Sequence, residues 1–98
     1  MVYTIDELKN IIGDIAKQYG VKKVALFGSY STGEETPDSD VDLLISTEIT
    51  GIRFFGIAER LRKKLRKKID LIEVRQLSNN QQLLDDILKD GIKVYEQI

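Results

Sequence analysis

The 98-residue chain has no cysteine, no histidine and no tryptophan, and a single proline. Without cysteine there can be no disulfide and no thiolate nucleophile, and with histidine also missing the usual zinc sites lose their ligands. Any chemistry must run on carboxylates, hydroxyls, lysine, arginine or a hard metal ion. No apolar run approaches the roughly 20 residues needed to cross a bilayer. The opening "MVYTIDELKN" also lacks the basic-then-apolar order of a signal peptide, so a cytoplasmic protein with no membrane contact is expected. Net charge is nearly absent too, at -1, which gives no electrostatic case for direct binding of nucleic acid.

That small net charge hides an uneven distribution. Residues 53–68 hold eight Lys or Arg against one Glu, leaving seven basic and fifteen acidic residues elsewhere. A basic face of this kind is more often solvated surface than binding site; if used, it would attract an acidic partner, RNA or the tail of a triphosphate.

What is present describes one folded domain over residues 1–98, with 42% hydrophobic and 32% charged residues. Thr4 with Glu7 three residues on reads as a capping box, and Ile5, Leu8, Ile11, Ile12, Ile15, Ala16 and Tyr19 then recur at helical spacing up to Gly20. "KVALFG" is apolar on both faces and predicts a central strand ending at Gly28. Residues 29–39 carry loop chemistry around Gly33 and Pro37, with room for one short helical turn after Ser29. Tyr30 in that stretch reads equally as a lid residue or a surface turn tyrosine.

"DVDLLIST" predicts the second strand, with Val41, Leu43 and Ile45 on one face and Asp40, Asp42 and Leu44 on the other. A loop around Gly51 leads to a helix whose apolar stripe is Phe54, Ile57, Ala58, Leu61 and Leu65. For the Phe54–Phe55 pair core packing is the first expectation and a partner interface the second. "KIDLIEV" predicts a third strand with Asp70, Ile72 and Val74 on one face. A last helix follows through Leu83, Leu84, Ile87 and Leu88, stopped at Gly91 before a short extended tail. The order helix, strand, short helix, strand, helix, strand, helix predicts a mixed α/β fold, helices laid on a small sheet.

The candidate chemistry lies in "LFGSYSTGEETPDSDVDLLI", residues 26–45. Asp40 and Asp42, two apart on an extended chain, lean the same way with Cα atoms about 6.5 to 7 Å apart. Two such charges repel, more so when buried, and a divalent cation would reverse that penalty. A third carboxylate on an adjacent strand would complete the set, and Asp70 is the leading candidate. Gly28 and Ser29 stand where a strand gives way to a helical turn, a place where backbone N–H groups and a hydroxyl can hold phosphate oxygens. Taken singly, Gly28-Ser29 reads as a turn, Asp40 as a turn or cap residue, and Asp70 as a strand-edge charge; Asp42, inside an apolar strand, resists that reading.

Gly28-Ser29, then Gly33, then Ser39-Asp40-Val41-Asp42-Leu43, resembles the nucleotidyltransferase pattern of Gly-Ser, a spaced Gly and Asp-x-Asp shared by DNA polymerase beta-like enzymes. The short length, "KKIDLIEV" and the terminal "DGIKVYE" are similar to the minimal nucleotidyltransferases (MNT domains) of prokaryotes. The resemblance implies a small mixed sheet flanked by helices and transfer of AMP from ATP with two Mg²⁺ ions. It implies that Gly28, Ser29 and Ser39 hold the nucleotide and that Asp40, Asp42 and Asp70 ligate metal, Asp70 also activating the acceptor hydroxyl. It further implies a HEPN-domain toxin as partner, with this chain as antitoxin modifying a tyrosine on it.

The chain departs from the pattern at Thr32, where many relatives carry Arg just before the second Gly. That departure leaves open a second reading, a nucleotidyltransferase fold with weak or no catalysis that neutralises its partner by contact. A third, transfer to a small molecule, is disfavoured because 98 residues leave little chain for an acceptor pocket.

Overall fold

The computed structural model describes residues 2–77 and 79–97. Helix α1 (Ile5–Tyr19) leads into strand β1 (Lys23–Phe27), the short helix α2 (Ser29–Thr32), β2 (Val41–Ser46), α3 (Ile52–Leu65) and β3 (Ile69–Glu73). A 3₁₀ turn at Val74–Leu77, helix α4 (Gln81–Asp90) and strand β4 (Ile92–Glu96) complete the chain.

The sheet order is β3-β2-β1-β4. β1 runs antiparallel to both β2 and β4, and β3 runs parallel to β2. β1 is therefore central, as its two apolar faces predict. The tail read as a short extended segment is a full edge strand, and Val74 begins the 3₁₀ turn instead of extending β3.

The two faces of the sheet bury different helices. Val24, Leu26, Val41, Leu43 and Ile45 pack with Leu8, Ile12 and Ile15 of α1 and Ile57, Leu61 and Leu65 of α3 in the main core. Burying each of these side chains contributes about 1.5 to 3 kcal/mol. On the other face a smaller cluster joins Leu44 and Ile72 to Leu83, Leu84 and Ile87 of α4; the side chain of Leu88 lies outside the described residues. α1 starts on the predicted capping box, with Glu7 N donating to Thr4 Oγ1 at 3.1 Å and Thr4 N to Glu7 Oε1 at 2.9 Å. It ends at Gly20 in the left-handed conformation.

Tyr30 corrects the sequence reading: it is 3% exposed and belongs to the main core, neither a lid nor a surface residue. The Phe pair divides. Phe54 packs against the main core, whereas Phe55 is 76% exposed.

Candidate active site

The parallel register of β2 and β3 sets Asp42 directly beside Asp70, and the antiparallel register of β1 and β2 sets Phe27 across from Asp42. Neighbouring strands lie about 4.8 Å apart, so two carboxylates meet at one end of the sheet. Alternation turns both onto the face that also carries Leu44 and Ile72. Asp42 stands in register with Asp70, and its pKa is raised from 3.8 to about 6. Burial is the main cause, followed by the Asp70 charge and then the Asp40 charge, with Lys68 acting the other way.

Gly28 follows Phe27 and closes the other side of this pair. Its φ of 71° and ψ of -150° lie in a region left almost wholly to glycine. A Cβ built there would overlap Asp42 Oδ2 and stand 3.1 Å from Asp42 Cγ. The residue is thus demanded twice, by backbone conformation and by the close approach of the carboxylate. Ser29 begins α2, where Ser31 Oγ and Thr32 Oγ1 both turn inward to Gly28 O, at 2.9 and 3.4 Å.

The remaining predicted residues stand further out. Asp40 lies just before β2, half-buried, with its Oδ2 4.0 Å from Lys68 Nζ. Ser39 closes a turn: its hydroxyl accepts from Thr36 N at 2.8 Å, and Ser39 N donates to Thr36 O at 3.0 Å. Thr32 Oγ1 donates to Glu34 Oε1 at 2.9 Å, so α2 offers a hydroxyl and no cation at this point. The cation nearest the acids is instead Lys68. In the sequence it is one of a basic run; its position immediately before a strand parallel to β2 is the signal that singles it out.

A cavity of about 400 Å³ lies beside Asp40, lined by Pro37, Asp38, Ser39 and the Leu65–Lys68 segment. A larger groove of about 590 Å³ runs between α1 and α3 and includes none of the motif residues. The motif residues gather at the end of the sheet, outside this larger groove.

Among the described residues no three Asp, Glu, His or Cys side chains converge as a ready metal cluster. Asp42 and Asp70 form a pair on adjacent strands, with Asp40 at its margin. This donor set suits Mg²⁺, which is held by one or two carboxylates together with substrate phosphate oxygens. A cation there would relieve the repulsion between the two acids.

Residues 9–97 match the family model described as Polymerase beta, Nucleotidyltransferase. A Methanocaldococcus jannaschii protein assigned by name to the protein adenylyltransferases is 36% identical over 84 residues, covering 78% of this chain and 84% of the relative. A solved structure described as a minimal nucleotidyltransferase superposes with a TM-score of 0.77 at 25% identity, covering 92% of this chain and 95% of the other. The MNT antitoxin structure solved with a tri-AMPylated Shewanella oneidensis HEPN toxin has the same fold, with a TM-score of 0.71 at 20% identity and coverage of 96% and 74%.

Proposed function

Since this chain belongs to the polymerase beta nucleotidyltransferase family, we propose that it is a protein adenylyltransferase, moving AMP from ATP to a hydroxyl on a partner protein. The observation that carries this reading is the Asp42–Asp70 pair, brought side by side by the β2–β3 register and closed in by Gly28.

In the proposed reaction the acceptor oxygen attacks the α-phosphorus of ATP. The bond from that phosphorus to the bridging oxygen breaks, and pyrophosphate leaves. Asp70, solvent-exposed at the rim of the site, takes the proton from the acceptor hydroxyl. Asp42 and Asp40 would hold Mg²⁺ together with Asp70, and the bound cation would supply charge stabilisation for the phosphate oxygens. Gly28 allows the backbone to approach the phosphates, Ser29 adds a hydroxyl donor, and Ser39 keeps the turn ahead of Asp40 in shape.

The proposed acceptor is a tyrosine of a HEPN-domain toxin, with this chain as its antitoxin in a single domain over residues 1–98. The resemblance in fold to the MNT antitoxin crystallised with an AMPylated HEPN toxin supports this partner. Thr32 favours the second reading, in which the same fold neutralises its partner by contact alone, because α2 brings no cation to a triphosphate.

Transfer from ATP labelled at the α or the γ phosphate, with Mg²⁺ and a co-expressed HEPN partner, tests the proposal. Wild type should pass α label to the partner, and Asp42→Asn should pass none while remaining folded. Transfer of γ label would mean kinase chemistry and overturn the reading. Neutralisation of the partner with no label transferred would establish the contact reading.

A further inference from the structure

Lys67 touches both halves of the motif and belongs to neither. Its Nζ donates to Pro37 O at 2.8 Å and to Ser39 O at 3.3 Å. The same ammonium lies 5.9 Å from the centre of the Tyr30 ring. Tyr30 follows Ser29 in α2 and is held in the main core, so the ring is a fixed platform.

The segment it fastens has little else to place it. Thr36 and Ser39 close their turn on each other, which shapes the segment without locating it. Beyond that turn, the side-chain bonds that reach Pro37–Asp40 from elsewhere in the chain are, among the described residues, those of Lys67 and the Lys68–Asp40 ion pair; Val41, the next residue, is held by β2 and the main core. All of these side-chain bonds come from two consecutive residues. The preceding Arg66 is the only non-glycine residue with positive φ among the described residues, at 55°. The chain thus accepts a strained turn where α3 hands over to Lys67. An ammonium suits the position because it has three donors and no acceptor, and it faces two carbonyls and the electron-rich face of a ring.

We propose that Lys67 is a positioning residue: it ties the Pro37–Ser39 turn to α2, so that Asp40 stands beside Asp42 in the arrangement that a divalent cation and nucleotide require. This inference rests on the nucleotidyl-transfer reading of the aspartates but can fail separately from it.

The test compares wild type with Lys67→Ala and Lys67→Arg, using Lys64→Ala on the exposed surface of α3 as control. Amide hydrogen exchange of the metal-free protein reads the turn directly. In Lys67→Ala the amides of Thr36 and Ser39 should exchange at least tenfold faster, with those of α1 unchanged. Mn²⁺ affinity, measured by electron paramagnetic resonance, should weaken about tenfold in Lys67→Ala and return to within threefold of wild type in Lys67→Arg. The kcat for AMP transfer should fall about tenfold with KM for ATP altered less than threefold.

Unchanged exchange and Mn²⁺ affinity in Lys67→Ala would overturn the proposal. So would a uniform rise in exchange with unchanged Mn²⁺ affinity, since Lys67 would then serve stability alone. If wild type binds Mn²⁺ in a Lys67-dependent way but transfers no AMP, the positioning role stands and the transfer reading falls. A wild type that binds no Mn²⁺ overturns both.

Discussion

At the scale of single residues, Gly28 and Asp42 are two sides of one constraint. The positive φ of Gly28 and the closeness of the Asp42 carboxylate leave no room for a Cβ. Gly28→Ala should cost about 2 to 3 kcal/mol in urea unfolding, from backbone strain and a displaced carboxylate. Nucleotide transfer should be lost in the same variant. Wild-type stability would show that the strand end relaxes freely and would remove the structural case for this glycine.

Asp42 carries a pH signature whose sign follows from its environment. Its proton is held up to about pH 6 in the folded chain, against 3.8 for the free side chain. Ionising it therefore costs more when folded: its contribution to stability is full below about pH 3.8 and is lost as pH rises through about 6. Without metal, Asp42→Asn should be the more stable protein at pH 8, by about 1 kcal/mol once solvent screening of a partly exposed group is allowed for. At pH 3.5 the difference should nearly vanish. Urea unfolding in EDTA at the two pH values measures both, and a less stable variant at pH 8 would contradict the burial and repulsion described at this site. Of the residues themselves, the motif acids and Gly28 are legible from type and spacing. The burial of Tyr30 is not, because in a stretch of Ser, Thr, Gly and Glu no periodicity marks which side chain turns inward.

At the scale of elements, α1, β1, β2 and α3 follow from local patterns: a capping box, an apolar run and stripes at helical spacing. β4 does not announce itself. "IKVYE" is short, and what makes it a strand is β1, more than sixty residues earlier, whose second edge it pairs. The ends of elements are likewise decided by context, as at Arg66, where α3 closes on a left-handed residue with no glycine available. Arg66→Gly should raise stability by about 0.5 to 1 kcal/mol, because glycine adopts this conformation without a Cβ penalty. Thermal unfolding of the two proteins checks it; a lower midpoint would mean that the arginine side chain contributes more than its backbone costs.

At the scale of the whole molecule, the sheet depends on a strand from each end of the chain. Gln97 N donates to Lys22 O at 2.8 Å, and β4 covers an edge of β1 that would otherwise be an open row of backbone groups. Removal of residues 92–98 should leave a protein that aggregates or fails to fold, as read by circular dichroism and size-exclusion chromatography. A monomeric, folded product would show that α4 alone seals that face. The exposed ion pairs, such as Lys22–Glu48 and Lys93–Glu96, contribute little by comparison. The same scale decides where the basic residues fall. The run from 53 to 68 is not one patch, because Lys67 turns in to bind carbonyls and Lys68 faces Asp40, while Arg62 pairs with Glu59 on the helix surface.

By itself the sequence determined the available chemistry and the catalogue of elements. A chain without cysteine or histidine leaves carboxylates and hydroxyls, and apolar periodicity is a local property that needs no knowledge of distant contacts. The spacing of Gly28, Asp40 and Asp42 likewise lies within one short segment. Tertiary structure alone decided that Asp70 stands beside Asp42, that the tail becomes an edge strand, and that Lys67 binds the turn ahead of the aspartates. Each of these is a pairing between residues far apart in the chain, set by strand register and by which face of the sheet each helix covers, and no local pattern carries that information.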